Sequence, residues 1–258
     1  MTTTPVDYDQ IASGYDRRFT TYDPAGEGQA LRNLARTLKP ARILEVGCGT
    51  GHWLGELASV AHALFGLDLS KGMLRQAKIK QVPANFVQSF AKKLPFMDGV
   101  FDLVFCVHAI HHFTDSQAFV SETCRVIRSG GCLAVMGGNP HNWRESWYVY
   151  RYFEGVYGTD LLRFPTWDTV SEWMDAVGFK DLELAEVEHI VGHKRGREVL
   201  SDPFLQKQAC SQLALLTDEA YADGLLRIKE DLTRAERRGE TLTFETELTI
   251  EMLSGRKA

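Results

Sequence analysis

Apolar residues recur along the chain with two different periods, and the order of these periods predicts the fold. An amphipathic helix is predicted over residues 29–39, where apolar side chains return every three or four positions and Pro40 ends the run. Strands alternating with helices predict a parallel sheet with right-handed crossovers. Five short apolar runs predict strands, at residues 43–46, 64–69, 85–88, 101–107 and 132–136.

The last third of the chain continues the pattern with fewer apolar residues. Thr166 is placed to cap a helix that Gly178 ends, and a strand is predicted over residues 182–187. A long polar helical region is predicted from about residue 194 to 238. Residues 242–252 alternate between apolar and polar positions, so they predict a closing strand.

Composition disfavours several classes of partner. The chain has 258 residues, and its 29 Lys and Arg are scattered among 34 Asp and Glu, giving a net charge of −5. No basic patch is available for a nucleic-acid backbone or an anionic membrane. Five cysteines form an odd set without a CxxC pair, and neither a signal peptide nor a membrane span is visible, so we expect a cytoplasmic protein and predict no metal site.

The strongest candidate for chemistry is a glycine-rich turn that follows the first predicted strand. Residues 43–51 read ILEVGCGTG, and glycines at 47, 49 and 51 permit left-handed backbone angles and close approach of a ligand. Such a turn also points backbone amides and a helix N-terminus at the ligand. Asp68 ends the second strand about twenty residues later, where dinucleotide-type folds use a carboxylate to bind ribose hydroxyls.

The glycine-rich turn has two other interpretations. An isolated glycine motif is often a plain connection between a strand and a helix. A nicotinamide-binding turn is disfavoured because His52 stands where the G-x-G-x-x-G pattern has its last glycine. The pairing of the turn with an acid at the end of the second strand favours a nucleoside ligand over both.

Several motifs, taken in order, make the resemblance specific. E-x-G-x-G-x-G at residues 45–51, the acid of GLDLS at Asp68, and then LPF, FDLV, HHF and RVIRSGG resemble the Rossmann-like (class I) S-adenosylmethionine-dependent methyltransferases. The match covers roughly residues 8–136. It implies a three-layer α/β sandwich whose seven-stranded, mostly parallel sheet has an antiparallel last strand, with helical insertions in the C-terminal half.

The resemblance also implies how one methyltransferase domain over residues 1–258 is divided. The segments are an N-terminal helical lid at 1–40, a cofactor-binding core at 41–136, an aromatic substrate-side insertion at 137–165, and C-terminal strands with a helical insertion at 166–258.

Residue roles follow from the same resemblance, with S-adenosylmethionine as cofactor and S-adenosylhomocysteine as product. It implies that Phe90 and Ala91 lie beside the adenine. Phe90 stands where the family often has an acidic residue. Contact with the adenine would then depend on ring stacking and on a backbone amide. Tyr15, in a segment similar to the family's lid, is the first choice to cover the methionine end, and Tyr8 is the second. Packing of both rings against the sheet is the alternative. The remaining cofactor contacts implied are Glu45, Gly47, Gly49, Gly51, Asp68, Leu69 and His108.

Three histidines follow the fourth strand in CVHAIHHF, at the edge of the sheet where open α/β folds bind ligands. His111 or His112 is a candidate base for removing a proton from the acceptor. The alternative is that these rings pack and bond to backbone carbonyls, as most buried histidines do. A nucleophilic acceptor would need no base, because positioning alone supplies ~7–11 kcal/mol.

The segment between the fifth strand and Pro165 is dense in aromatic residues. Such a density predicts walls for an apolar or aromatic acceptor. Helical spacing of the same rings indicates equally that they bury a helix against the sheet. The candidate substrate contacts are His141, Trp143, Trp147, Tyr148 and Arg151, with Arg144 a further possible contact for a polar group.

The function predicted from the sequence is methyl transfer to O, N or C of a small molecule, by direct in-line transfer. A binding module that retains the cofactor site without transfer is one alternative. A methyltransferase acting on RNA or protein is another, although the acidic balance and the lack of an NPPY-like motif after the fourth strand speak against it. The sequence leaves monomer and homodimer open.

Overall fold

A computed structural model describes residues 6–17, 19, 24–143 and 146–258. Its seven strands form one sheet in the order β3-β2-β1-β4-β5-β7-β6. Every neighbouring pair from β3 to β5 is parallel, whereas β7 runs antiparallel to both β5 and β6. The predicted mostly parallel sheet with an antiparallel last strand is confirmed. The strands are β1 (Arg42–Val46), β2 (Ala63–Asp68), β3 (Asn85–Gln88), β4 (Phe101–Val107), β5 (Ile127–Gly138), β6 (Phe179–Arg195) and β7 (Thr243–Lys257).

Helices connect most of the strands and cover both faces of the sheet. Short 3-10 turns lie at Ala12–Arg17, Ile110–His112, Pro140–Asn142, Gly196–Ser201 and Pro203–Leu205. The α-helices are α1 (Tyr8–Ile11), α2 (Ala25–Leu38), α3 (His52–Glu56), α4 (Lys71–Ile79), α5 (Ser116–Val126), α6 (Tyr148–Tyr152), α7 (Val156–Arg163), α8 (Trp167–Ala176), α9 (Ser211–Ala214) and α10 (Asp218–Arg237).

Two apolar layers, one on each face of the sheet, form the core. Adjacent residues of β1 point to opposite layers: Ile43 packs in the layer that contains Leu31 of α2, and Leu44 packs in the layer that contains Phe119 of α5. All of these side chains are fully buried. Parallel strands covered on both faces read as continuous apolar runs, which is why the sequence pattern located them.

Local signals placed several helix ends correctly. The hydroxyl of Thr166 accepts from the amide of Thr169 at 3.2 Å and caps α8, as predicted. Gly178 follows this helix with a φ of 102°, which a side chain would disfavour. Lys39, in the left-handed conformation, ends α2 just before Pro40, although this helix begins four residues earlier than the pattern predicted.

The strand predicted over residues 182–187 is too short, whereas the helical region predicted from about residue 194 begins two residues later, at Gly196. The last strand pair is longer than predicted, because β6 continues to Arg195 in antiparallel register with β7, pairing Ile190 with Leu248 and Lys194 with Phe244. Alternate residues at this end of β6 are exposed, so the strand lacks a continuous apolar run and its polar composition resembles a helix surface. The helical insertion therefore begins with 3-10 turns at Gly196, and α10 is its main element.

Two searches of the described residues gave negative results. None of the helices found in residues 6–17, 24–143 and 146–258 is long and apolar enough to cross a membrane. Within the same part of the chain, no group of three or more His, Cys, Asp or Glu side chains is arranged to hold a metal ion.

Candidate active site

A cavity of about 310 Å³ lies at the carboxyl ends of β1, β2 and β4, beneath the N-terminal segment. Ligands of open α/β sheets bind at this edge. Most of the cofactor contacts predicted from the sequence meet here, together with one of the two candidate bases. The predicted residues that line it are Tyr15, Gly47, Gly49, Asp68, Leu69, Phe90, Ala91, His108 and His112.

A second cavity of about 40 Å³ adjoins the first. Tyr15, Gly49 and His108 line both cavities, so they stand at the boundary between them. Glu45 lines only the smaller cavity, and Gly51 lines neither. The structure thus gathers the predicted cofactor residues at one place, with Gly51 just outside it.

Asp68 joins the end of β2 to the glycine-rich turn. Its Oδ2 accepts the amide of Gly49 at 2.8 Å, and its Oδ1 accepts the amide of Ser70 at 2.8 Å. Burial raises the pKa of the carboxyl, while these amides favour its charged form. A carboxylate has about four lone-pair sites, so both oxygens can accept further bonds from ligand hydroxyls in the cavity.

All three glycines of the turn have left-handed φ angles, but an added Cβ would meet different surroundings at each. A Cβ on Gly49, whose φ is 50°, would meet only Tyr15, at 3.9 Å, so this glycine leaves space in the cavity. A Cβ on Gly47 would lie 2.5 Å from the Cβ of Ala109. Gly51 caps α3, and its Cβ would press on Val82. Gly47 and Gly49 both line the larger cavity, but only at Gly49 would an added Cβ meet nothing closer than 3.9 Å.

An apolar surface lies beside Asp68 in the larger cavity. Leu69 and Phe90 line it while remaining 52% and 51% exposed, and buried Ala91 lies next to Phe90. Large apolar side chains that remain half exposed inside a cavity offer contact area to a flat, apolar ligand group.

Two carboxylates hold the N-terminal segment over the cavity. Asp9 accepts the Ser70 hydroxyl at 2.5 Å and the Gly72 amide at 2.7 Å, on the first turn of α4. Asp16 accepts the Thr50 hydroxyl at 2.5 Å and pairs with Lys80 at 2.7 Å. Tyr15, between these anchors, reaches the cavity, which is the position predicted for a covering tyrosine.

The histidines that follow β4 have different surroundings. The Nε2 atom of His112 lies 2.7 Å from the hydroxyl of Tyr8 in the N-terminal segment. The His111 ring stacks on Phe164 with centroids 3.8 Å apart, and it does not line either cavity. The Nε2 atom of His108 lies 2.8 Å from a carboxylate oxygen of Glu27, which has no exposed surface.

The aromatic insertion packs into the core. Trp143 covers Gly138, Trp147 is buried, and the hydroxyl of buried Tyr148 donates to Asp202 at 2.9 Å. Because these large rings fill the layer between the sheet and the C-terminal insertion, none of them lines either cavity. The structure therefore favours the packing alternative for these rings over substrate walls.

The polar residues of the insertion are also outside the lining. His141 contacts the carbonyl of Phe164 at 3.0 Å, and Arg151 is exposed with its guanidinium 5.5 Å from the centre of the Tyr152 ring. The residue Arg144 lies outside the described residues. The placements of His141 and Arg151 give no support to a role in binding substrate.

Sequence reasoning missed Asp9 and Ser70, which also line the larger cavity. Ser70 caps α4 by accepting the amide of Met73 at 3.0 Å, and a serine before a helical run is a recognisable capping signal. Asp9 gave no such signal, because its partners are more than sixty positions away in the chain.

Glu45 leads to a prediction about stability. Burial, and then the nearby charge of Asp68, raise the pKa of this fully buried carboxyl well above 4.5, and its Oε2 has no partner among the described residues. Because its pKa is raised, the folded protein binds the Glu45 proton more tightly than the unfolded chain does, and this difference stabilises the fold at low pH. The stabilisation is lost as the pH rises from the unfolded-state pKa of 4.5 towards the higher folded-state pKa. Relative to Glu45→Gln, the wild type should therefore lose up to about 1.4 kcal/mol of unfolding free energy per pH unit in that window.

Urea unfolding of both proteins between pH 5 and 8 measures this difference. Glutamine is the matched replacement because its oxygen can still accept the Leu54 amide that contacts the carboxyl. A constant difference across the pH range would show that Glu45 has the same pKa in the folded and unfolded proteins.

The sheet order and the cavity at its carboxyl edge define a Rossmann-like fold with a candidate ligand site, and comparison with known proteins gives the class of enzyme. The family described as a methyltransferase domain matches residues 44–135. An uncharacterized methyltransferase of Synechocystis sp. is 34% identical over 151 residues, covering 55% of this chain and 70% of the relative. The chain therefore belongs to the class I S-adenosylmethionine-dependent methyltransferases.

Two further relatives have more specific names. A malonyl-[acyl-carrier protein] O-methyltransferase of Methylococcus capsulatus is 31% identical over 186 residues, covering 69% of this chain and 66% of that protein. The structure of phosphoethanolamine N-methyltransferase 2 of Haemonchus contortus, in complex with S-adenosyl-L-methionine, has a TM-score of 0.58 at 20% identity, covering 96% of this chain and 57% of that one. At this identity the second likeness shows the shared fold.

Proposed function

We propose that this enzyme transfers a methyl group from S-adenosylmethionine to O, N or C of a small acceptor molecule. The observation that carries the proposal is the meeting of the Asp68 carboxylate, the open space at Gly49 and the apolar faces of Leu69 and Phe90 in one cavity of about 310 Å³. The names of two relatives, malonyl-[acyl-carrier protein] O-methyltransferase and phosphoethanolamine N-methyltransferase 2, support a small acceptor group as the substrate class, free or carried on a protein.

The residues of the cavity fit the parts of this cofactor. Asp68 would accept from the ribose hydroxyls, Leu69 and Phe90 would flank the adenine, and Gly49 would let the backbone approach the sugar and the methionine. When bound, the cofactor supplies an electrophilic methyl group on a sulfonium. Tyr15 would cover its methionine end while Asp9 and Asp16 hold the N-terminal segment closed, which excludes water from the transfer.

Positioning is the main contribution that we assign to the protein. Holding two reactants in line lowers the activation barrier by ~7–11 kcal/mol. A general base raises the rate by ~10²–10⁴-fold, which corresponds to only ~3–5 kcal/mol. The base role predicted for His111 and His112 stays a prediction. Of the two, His112 lines the cavity, and its contact with Tyr8 ties it to the N-terminal segment.

Cofactor binding should stabilise the fold. S-adenosylmethionine at a hundredfold excess over its dissociation constant is expected to raise the unfolding free energy by ~2.7 kcal/mol, because it binds only the folded protein. Differential scanning fluorimetry with NADH as the matched control measures the effect. Stabilisation of the fold by NADH, with no stabilisation by S-adenosylmethionine, would refute the assignment of the cavity.

Transfer itself needs an acceptor screen. We expect label from methyl-labelled S-adenosylmethionine to appear on at least one member of a panel that contains malonyl thioesters, primary amines, phenols and quinols. Cofactor binding without transfer to any of these would favour the alternative of a binding module. Transfer to RNA or protein in preference to the panel would favour a macromolecular substrate.

A further inference from the structure

We propose that His108 and Glu27 form a catalytic pair, in which Nδ1 of His108 accepts the proton that an O–H or N–H acceptor releases on methylation. Glu27 is the positioning residue that orients the ring and stabilises its protonated form. The inference rests on the proposed function, methyl transfer to a small acceptor, and it assigns the base to a residue that sequence analysis had placed among the cofactor contacts.

His108 lies where a base is needed. It follows the last residue of β4 and lines both the larger and the smaller cavity. Its amide donates to the carbonyl of Met136 in β5 at 2.9 Å, which fixes its backbone between two central strands. Its φ of 50° is uncommon for a residue other than glycine, and such angles cluster at functional sites because the surrounding structure must maintain them.

Glu27 determines which nitrogen of His108 carries the proton. Its carboxylate, fully buried in the first turn of α2, has an oxygen 2.8 Å from Nε2 of His108. A buried charge is costly unless it is paired, and the positive end of the helix dipole favours a carboxylate at this position. Because a carboxylate only accepts, Nε2 donates, and the neutral ring therefore has its lone pair on Nδ1.

The Nδ1 atom is available to a substrate. It has no hydrogen-bond partner among the described residues, and it lies beside Gly137 near the end of β5. A Cβ on Gly137 would lie 3.8 Å from Nδ1, in ordinary contact, and His108 lines both cavities. The arrangement of carboxylate, imidazole and unshared lone pair is the one that orients general bases in other enzymes.

The proposed step balances as follows. The acceptor's oxygen or nitrogen forms a bond to the methyl carbon, the bond from that carbon to sulfur breaks, and the electron pair stays on sulfur to give S-adenosylhomocysteine. The proton of the acceptor moves to Nδ1 of His108. The imidazolium so formed is held by the carboxylate of Glu27 until the proton is released to solvent.

The tautomer of His108 tests the pair without any acceptor. In ¹⁵N-labelled wild-type protein, long-range proton–nitrogen correlation spectra are expected to show the neutral His108 ring protonated on Nε2, with His108→Gln used to assign the signals. In Glu27→Gln the preference for this tautomer should decrease. A ring protonated on Nδ1 in the wild type would overturn the proposal.

Kinetics test the role in transfer. In His108→Gln the amide can still donate to Glu27, but the lone pair of Nδ1 is lost, so kcat is expected to fall ~10²–10⁴-fold with an O–H or N–H acceptor from the panel above. The dissociation constant of S-adenosylmethionine and the KM of the acceptor should stay within about threefold. Glu27→Gln should likewise lower kcat more than it raises KM.

Two controls make the outcome decisive. His62→Gln, at the opposite end of β2, should leave kcat unchanged, and added imidazole should restore part of the activity of His108→Ala. Unchanged kcat in His108→Gln, a loss wholly explained by weaker cofactor binding, or no rescue by imidazole would each overturn the proposal. If the wild type itself transfers no label, the proposed function fails, while the tautomer still reports on the pair.

Discussion

Replacing Asp68 with alanine is expected to weaken the binding of S-adenosylmethionine by about a hundredfold or more. Hydrogen bonds to a charged group contribute about 1.5–3 kcal/mol each, and the ribose hydroxyls would lose two of them at this carboxylate. Each 1.4 kcal/mol corresponds to about a tenfold change in dissociation constant. Isothermal titration calorimetry on the wild type and Asp68→Ala measures the difference.

Part of that effect would come through the turn itself, because the Asp68 carboxylate also accepts the amides of Gly49 and Ser70. Asp68→Asn is the matched variant, since it keeps the size of the side chain and one accepting oxygen. We expect it to lie between the wild type and alanine in affinity, and to lose about 1–3 kcal/mol of unfolding free energy, because its Nδ2 cannot accept one of the two amides that the carboxylate binds. Equal affinity in all three proteins would show that the ribose is bound elsewhere.

The second large effect separates two glycines of one motif. Gly47→Ala should destabilise the fold by about 2–4 kcal/mol, because the new Cβ would lie 2.5 Å from the Cβ of Ala109 and the backbone φ is 76°. Gly49→Ala, with nothing nearer than Tyr15 at 3.9 Å, should cost about 1–2 kcal/mol for its left-handed backbone. Its Cβ instead enters the cavity and should weaken cofactor binding.

Urea unfolding and calorimetry on both variants test this separation, and each variant serves as the control for the other. The account expects the larger loss of stability in Gly47→Ala and, among molecules that remain folded, the larger loss of affinity in Gly49→Ala. The reverse order would contradict this separation and would indicate that the cofactor lies closer to Gly47, which also lines the larger cavity.

Sequence reasoning located the central sheet and most of the cavity because those features are local. The buried strands are continuous apolar runs, and Asp68 stands at a fixed distance from the glycine-rich turn. The family resemblance then supplied Tyr15, Phe90 and Ala91 from short motifs, and the structure brings all of them to one cavity. Asp68, Phe90 and Ala91 are predictable because each lies at or just after the end of a strand, whereas Tyr15 lies in a 3-10 turn and was predicted from the resemblance alone.

The features that were not predicted depend on contacts between distant parts of the chain. The end of β6 is a strand because Lys194 pairs with Phe244, some fifty positions later, and its own composition favours a helix surface. The rings of Trp147 and Tyr148 had spacing that suits either a pocket wall or a packed helix, and only the position of the C-terminal insertion decides between them. Glu27 opposite His108 had no sequence signal, because the two are 81 positions apart.

A crystal structure of the complex with S-adenosylhomocysteine tests the central claim most directly. We predict both ribose hydroxyls within ~3 Å of the Asp68 carboxylate oxygens, which is hydrogen-bonding distance. We also predict the adenine ring between Leu69 and Phe90. Density for the nucleoside outside this cavity, with Asp68 still bonded only to its own backbone amides, would contradict the assignment.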